Sequence, residues 1–128
     1  MFNGRKRDQI RAEANAEQRR REDAAPRLIT RVPTLNSLRL TFDEARPNGG
    51  SISTPYAKPI VVASAPALFE IRCMEPRCDG MHDLTAPILR ALGEHRASYS
   101  GESSCNGVLN NSECDRQLWY SYEATYSS

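Results

Sequence analysis

Residues 118–126 read Leu-Trp-Tyr-Ser-Tyr-Glu-Ala-Thr-Tyr, the clearest alternation of apolar and polar side chains in the chain. A period of two predicts a half-buried β-strand, because successive side chains of a strand point to opposite faces. Tyr120, Tyr122 and Tyr126 fall on the same face as Leu118, so we expect these tyrosines in the core. Trp119 falls on the opposite face, where we expect it to be exposed.

Four earlier or weaker stretches also predict strands. Residues 38–42 alternate in the same way, residues 58–64 centre on an Ile-Val-Val run, and residues 68–73 carry Phe69 and Ile71 on one face. Residues 97–101 predict a weaker strand. A polar segment rich in turn-forming residues predicts a long hairpin loop at 43–57, residues 27–36 predict a connector, and Ala65-Pro66 predicts a bend.

One short helix is predicted after a turn-rich loop at 74–82. Asp83 is a good N-cap for a helix over residues 84–92, whose apolar residues share one face. Gly93 suits the left-handed position that often follows a helix, and residues 102–116 favour a polar loop. The sequence therefore predicts an α+β fold, a small antiparallel sheet of about five strands with one short helix.

The first 26 residues differ from the rest. They are rich in Ala, Arg, Glu and Gln, which favour helix, but beyond Ile10 their only apolar side chains are alanines. No apolar stripe is wide enough to dock on a core. We therefore expect a polar N-terminal arm at 1–26, helical or disordered, and a single small domain at 27–128.

Cys73, Cys78, Cys105 and Cys114 are the most informative residues. Their order is C-x4-C, a spacer of 26 residues, then C-x8-C. Two cysteine pairs in turn-rich segments, separated by enough chain to return to the start, are typical of a structural zinc site of zinc-finger type. We therefore predict that these four cysteines bind one structural zinc ion, which staples the fold.

Two alternatives stay open for the cysteines: two disulfides in an exported protein, or four unlinked buried thiols. The spacing does not fit the common ferredoxin patterns of iron–sulfur clusters. His82 is a possible substitute ligand, although we expect it to lie beside the site or at the entry to the helix. His95 is expected on the surface.

The composition excludes several classes of protein. The longest apolar run is Ile60-Val61-Val62-Ala63, too short for a transmembrane helix. The charged first residues have no apolar stretch behind them, so we expect no secretory signal and a cytoplasmic location. The net charge of +1 is far from that of a typical nucleic-acid binder.

Catalysis finds little support in the sequence. The zinc-deaminase, zinc-protease, nucleophile-elbow and phosphate-loop motifs are all absent. Glu75 or Asp79 would have to serve as the base of a catalytic zinc site, and the chain has only two histidines. We therefore predict no catalytic residues and no small-molecule substrate.

Two functions from different classes remain. We expect a non-enzymatic, zinc-stabilised module that binds a protein partner or forms a structural subunit of a larger assembly, with no membrane contact. The alternative is binding of DNA, RNA or a ribosomal surface through the basic arm and an exposed aromatic side chain. The residues of that alternative are Arg5, Lys6, Arg7, Arg19, Arg20, Arg21 and Trp119.

Overall fold

The computed structural model describes residues 2–45, 56–73, 78, 80–109 and 112–127. Its helices are α1 (Phe2–Ala24), α2 (Leu28–Arg31) and α3 (Thr85–Gly93). Its strands are β1 (Leu35–Ala45), β2 (Tyr56–Ile60), β3 (Glu70–Arg72), β4 (Met81–Asp83), β5 (Ser98–Ser104), β6 (Val108–Leu109), β7 (Ser112–Glu113) and β8 (Gln117–Tyr126). The fold is α+β, as the sequence predicts.

An antiparallel four-stranded sheet in the order β2-β1-β8-β5 forms the centre of the fold. The alternation in β1 and β8 places their apolar side chains on one face, and the register sets Leu40 opposite Tyr122 and Phe42 opposite Tyr120. All four of these side chains are buried. The strands predicted at 118–126 and 38–42 are both confirmed, and the second is longer than predicted, since β1 spans Leu35–Ala45.

Helix α3 covers this core with the predicted apolar face, which includes Ile88 and Leu92. Asp83 is not the N-cap, because α3 begins at Thr85 and the N-cap is Leu84. Asp83 precedes the cap, and its Oδ1 accepts the backbone N–H of Thr85 at 3.1 Å, so it still satisfies one free donor at the helix start. The prediction for Gly93 is wrong. The left-handed residue is His95, with φ 55°, and the N–H groups of His95 and Arg96 donate to the carbonyls of Leu92 and Ala91. This pair of bonds is a Schellman motif, and it places the end of α3 one residue and the left-handed position two residues later than expected.

The middle of the chain departs from the predicted strands. β2 ends at Ile60 because Val61 enters a turn in which its carbonyl accepts the N–H groups of Ser64 and Ala65, leaving Val61 69% exposed. β3 does not join the main sheet. It pairs instead with β4, in a segment predicted as loop, and forms a separate two-stranded hairpin. Four of the five predicted strands therefore lie in the main sheet, with β2 ending earlier than predicted, and β3 lies elsewhere.

Further elements lie where loops or connectors are expected. The predicted connector at 27–36 contains α2 and the start of β1, and the predicted loop at 102–116 contains the end of β5 and the β6–β7 hairpin. Residues 46–55 of the predicted hairpin loop lie outside the described residues.

The N-terminal arm is a 23-residue helix. Its half-buried positions 14, 18, 21 and 22 recur at helical spacing, so one side of α1 rests on the rest of the chain. The contacts there are polar: Gln18 Nε2 donates to the Glu70 carbonyl at 3.0 Å, and Arg21 Nε pairs with the Glu70 carboxylate at 3.1 Å. Among the described helices, none has both the length and the apolar character needed to span a bilayer.

The buried tyrosines predict how the fold responds to alkali. Burial raises the pKa of Tyr120 to about 12 from its ordinary 10.0, and burial also raises the pKa of Tyr122. Because the folded pKa lies above the unfolded one, the stability these phenols contribute is complete below pH 10 and is lost as the pH rises towards 12. We expect tyrosinate absorbance to rise in two stages, the later one coinciding with loss of tertiary structure. A Tyr120→Phe variant that leaves the later stage unchanged in amplitude would contradict this.

Candidate metal centre

Four cysteine sulfurs converge at one end of the main sheet. Cys73 directly follows β3, Cys78 lies in the turn before β4, Cys105 directly follows β5, and Cys114 directly follows β7. All four residues are buried, their thiols are free, and their sulfur atoms all lie within 4.8 Å of one another. The chain folds back so that both pairs, which are far apart in sequence, meet in one cluster.

The spacing of the sulfurs fits a tetrahedral metal ion. The Cys73 and Cys114 sulfurs are 3.8 Å apart, and those of Cys78 and Cys105 are 3.6 Å apart. A tetrahedron with metal–sulfur bonds of about 2.3 Å has edges of about 3.8 Å, whereas a disulfide bond is only about 2.05 Å long. The four cysteines could therefore hold a metal ion.

Two similar turns present the inner pair of sulfurs. Each has the sequence Cys-x-Gly, and in each the glycine N–H points at the cysteine sulfur: Gly80 N to Cys78 Sγ is 3.3 Å, and Gly107 N to Cys105 Sγ is 3.4 Å. The glycine carbonyls accept from the outer pair of cysteines, since the Cys73 N–H donates to Gly80 O and the Cys114 N–H donates to Gly107 O. The cluster thus has approximate twofold symmetry, and N–H groups directed at sulfur favour the thiolate form that binds metal.

Gly80 and Gly107 pack directly against each other, which leaves no room for a side chain at either position. A Cβ on Gly80 would lie 2.4 Å from the Gly107 nitrogen, and a Cβ on Gly107 would lie 2.5 Å from Cys78 Sγ. Neither glycine is among the site residues predicted from the sequence. The signal that could have found them is the repeat of Cys-x-Gly at 78–80 and 105–107.

A buried ion pair borders the cluster. Glu44 is 1% exposed, and its Oε1 lies 3.7 Å from both Cys73 Sγ and Arg116 Nη1. These two charged residues were also missed. Glu44 follows Leu40 and Phe42 at a spacing of two in β1, and Arg116 lies two residues before Leu118 of β8. Because side chains two residues apart share a face, this spacing places both charged residues on the buried side of the sheet.

The histidines lie outside the cluster. His82 is fully buried in β4, with Nδ1 3.4 Å from Ser103 Oγ, and its Nε2 has no hydrogen-bond partner among the described residues. Burial lowers the pKa of His82, so the ring is neutral at physiological pH. In the described part of the chain, the group of side chains placed to hold a metal ion does not include His82. His95 is exposed, as expected, and lies 3.0 Å from Thr34 Oγ1.

Cys105 shows what a metal would have to overcome. Burial raises the pKa of its thiol to about 12, so in the absence of metal this thiol holds its proton at neutral pH. A metal ion that binds here must displace that proton, and the positive charge of the metal stabilises the buried thiolates. Metal binding is therefore expected to release protons and to weaken as the pH falls.

Four side chains of the nucleic-acid alternative lie in the described part of the chain: Arg19, Arg20, Arg21 and Trp119. Arg20 pairs with Glu17, and Arg21 pairs with both Glu17 and Glu70. Arg19 is exposed on α1, while the side chains of Arg5, Lys6 and Arg7 lie outside the described residues, as do Glu75 and Asp79. Trp119 is 39% exposed on the main sheet and donates its indole N–H to Glu102 at 3.2 Å.

Comparison with protein-family models, with curated proteins and with solved structures gives no match. The chemistry of the cysteine cluster and the surfaces around it therefore carry the functional argument.

The glycine contact predicts a selective effect of adding one methyl group. Gly80→Ala or Gly107→Ala forces the two turns apart, and we expect each to lower the free energy of unfolding by about 1–3 kcal/mol and to weaken metal binding. Gly93→Ala is the matched control, because a Cβ there meets nothing within 4 Å. Thermal melts and chelator competition on the three variants measure both effects. Equal behaviour of all three would show that the close approach of the turns is unimportant.

Proposed function

We propose that Cys73, Cys78, Cys105 and Cys114 hold one structural zinc ion, and that the chain is a non-enzymatic module for protein–protein interaction. The observation that carries the proposal is the convergence of four buried sulfurs within 4.8 Å. Four protein ligands fill a tetrahedral ion, so no position is left for the water or substrate that a catalytic zinc requires.

The donor set supports zinc in particular. Tetrahedral sites of four sulfurs select zinc or iron, and zinc is the usual ion where the role is structural. The arrangement also supports a structural role, because each pair of ligands comes from a different part of the sequence. One ion would tie the β3–β4 hairpin to the end of β5 and to the β6–β7 hairpin.

Exposed apolar side chains support interaction with a protein. Val61, Ile29 and Trp119 are all substantially exposed. The pairing of Arg20 and Arg21 with acidic residues removes much of the positive charge that nucleic-acid binding through the arm would use. The protein-binding alternative is therefore the better supported of the two.

Metal analysis and a thiol count on protein purified without chelator test the zinc site. We expect about one zinc per chain and thiols that react only after the metal is removed, since zinc shields them. Iron in place of zinc would contradict the choice of metal. Absence of both metal and reactive thiols would indicate disulfides and would overturn the proposal.

Loss of one ligand tests whether the site is structural. We expect Cys105→Ser to lose the metal and to unfold the region from β3 to β8, seen as loss of near-ultraviolet dichroism and a much lower Tm. Ser104→Ala, an exposed neighbour on the same strand, is the control and is expected to behave as the unsubstituted protein. A Cys105→Ser protein with unchanged dichroism and Tm would contradict a structural role.

A further inference from the structure

The face of the main sheet turned away from the core, called here the outer face, carries an exposed tryptophan between two carboxylates. The register sets Asp43 of β1 directly opposite Trp119 of β8, and Glu102 of β5 directly opposite it on the other side. Side chains directly opposite one another on a sheet lie about 5 Å apart at Cβ. Trp119 is therefore flanked by acidic residues on both neighbouring strands.

Small side chains give this part of the outer face its shape. A shallow groove of about 480 Å³ runs beside the indole, and Thr41, Ser100 and Ser121 line it together with the two acidic residues. None of these three side chains is large enough to cover the ring. The aromatic surface is thus open to a partner.

The indole is held in place by its own polar group. Its N–H donates to Glu102 Oε2 at 3.2 Å, so the ring orientation is set within the sheet. A partner would therefore meet the ring's π surface and the nearby negative charge instead of a free N–H donor. Both features attract a cation, because the face of an aromatic ring is electron-rich and carboxylates are anionic.

The charges of the outer face are unevenly distributed. Arg39 lies in register opposite Glu123, which sets a positive and a negative charge side by side away from the groove. Asp43 and Glu102, at the other end, both line the groove. The groove is therefore the acidic part of the outer face, although the whole chain has a net charge of +1.

We propose that this groove binds an extended, arginine- or lysine-bearing segment of a protein partner, with one cationic side chain over Trp119 between Asp43 and Glu102. This inference rests on the proposed function and names the surface and the partner class. Charge complementarity selects a basic protein segment, since the same carboxylates would repel the phosphates of a nucleic acid.

Trp119 is the only tryptophan in the chain, so its fluorescence reports on this groove alone. The probe is a short, end-capped peptide of alternating arginine and serine, titrated into metal-loaded full-length protein. We expect a saturable change in Trp119 emission that weakens with added salt. An acidic peptide of the same length and a single-stranded oligonucleotide are expected to give no saturable change.

Matched variants localise the binding. Glu102→Gln and Asp43→Asn keep the side-chain shapes and are each expected to weaken peptide binding on the order of tenfold, because each removes a charge beside the cation. Glu123→Gln makes the same change of charge elsewhere on the outer face and is expected to change binding less than twofold. Trp119→Ala, followed by calorimetry, is expected to weaken binding at least as much as either acidic variant.

Each outcome distinguishes this inference from the proposed function. Metal-loaded, folded protein that gives no saturable response to the arginine peptide overturns the inference and leaves the zinc module standing. An equal loss in Glu123→Gln and Glu102→Gln also overturns it, since binding would then follow overall charge. A saturable response to the oligonucleotide in place of the peptide would assign the groove to nucleic acid. If protein purified without chelator contains no metal but still binds the peptide at Trp119, the zinc site is refuted and the groove stands.

Discussion

The convergence of four sulfurs at one end of the main sheet is the constraint on which the second half of the fold depends. β3 and β4 form a hairpin of only three-residue strands, and β6 and β7 have two residues each. Strands this short are not stable by pairing alone. A structural zinc ion contributes on the order of 10 kcal/mol at neutral pH, comparable with the about 5–15 kcal/mol of a whole domain. One ion in the cluster would therefore be enough to decide whether these hairpins form.

The Glu44–Arg116 pair connects that cluster to the apolar core. Both residues continue the inward-facing sides of the central strands, so the core changes from aliphatic and aromatic side chains to charged ones as it nears the sulfurs. A zinc ion with four thiolates has a net charge of −2, which a nearby guanidinium stabilises and a nearby carboxylate opposes. Arg116 faces Glu44 at 3.7 Å, so it offsets the carboxylate's charge at the same place where it can offset that of the thiolates.

The sequence predicts those elements of this fold in which apolar side chains recur at a regular spacing. The period of two in β1 and β8 and the single apolar face of α3 reflect burial on one side, so their elements and core residues follow directly. The four cysteines were predictable from ligand chemistry. The β3–β4 pairing was not, because Phe69 and Ile71 are compatible with any buried strand, and nothing in the sequence pattern of Met81–Asp83 marks it as the partner strand. The left-handed residue was not predicted either. It is His95, two residues after Gly93, the glycine that local preference favours for that position.

The cluster and the groove lie on opposite faces of the same strand ends. Glu44 turns inward towards Cys73, and its neighbour Asp43 turns outward opposite Trp119. On β5, Glu102 faces Trp119 three residues before Cys105. The pairing of β1, β8 and β5 continues past both carboxylates to Ala45, Gln117 and Ser104, so the sheet itself sets their spacing beside the indole. A metal in the proposed site would act on the neighbouring residues of those strands from the opposite face. It would stabilise the short hairpins there without touching a segment bound in the groove, because the sheet separates the two sites.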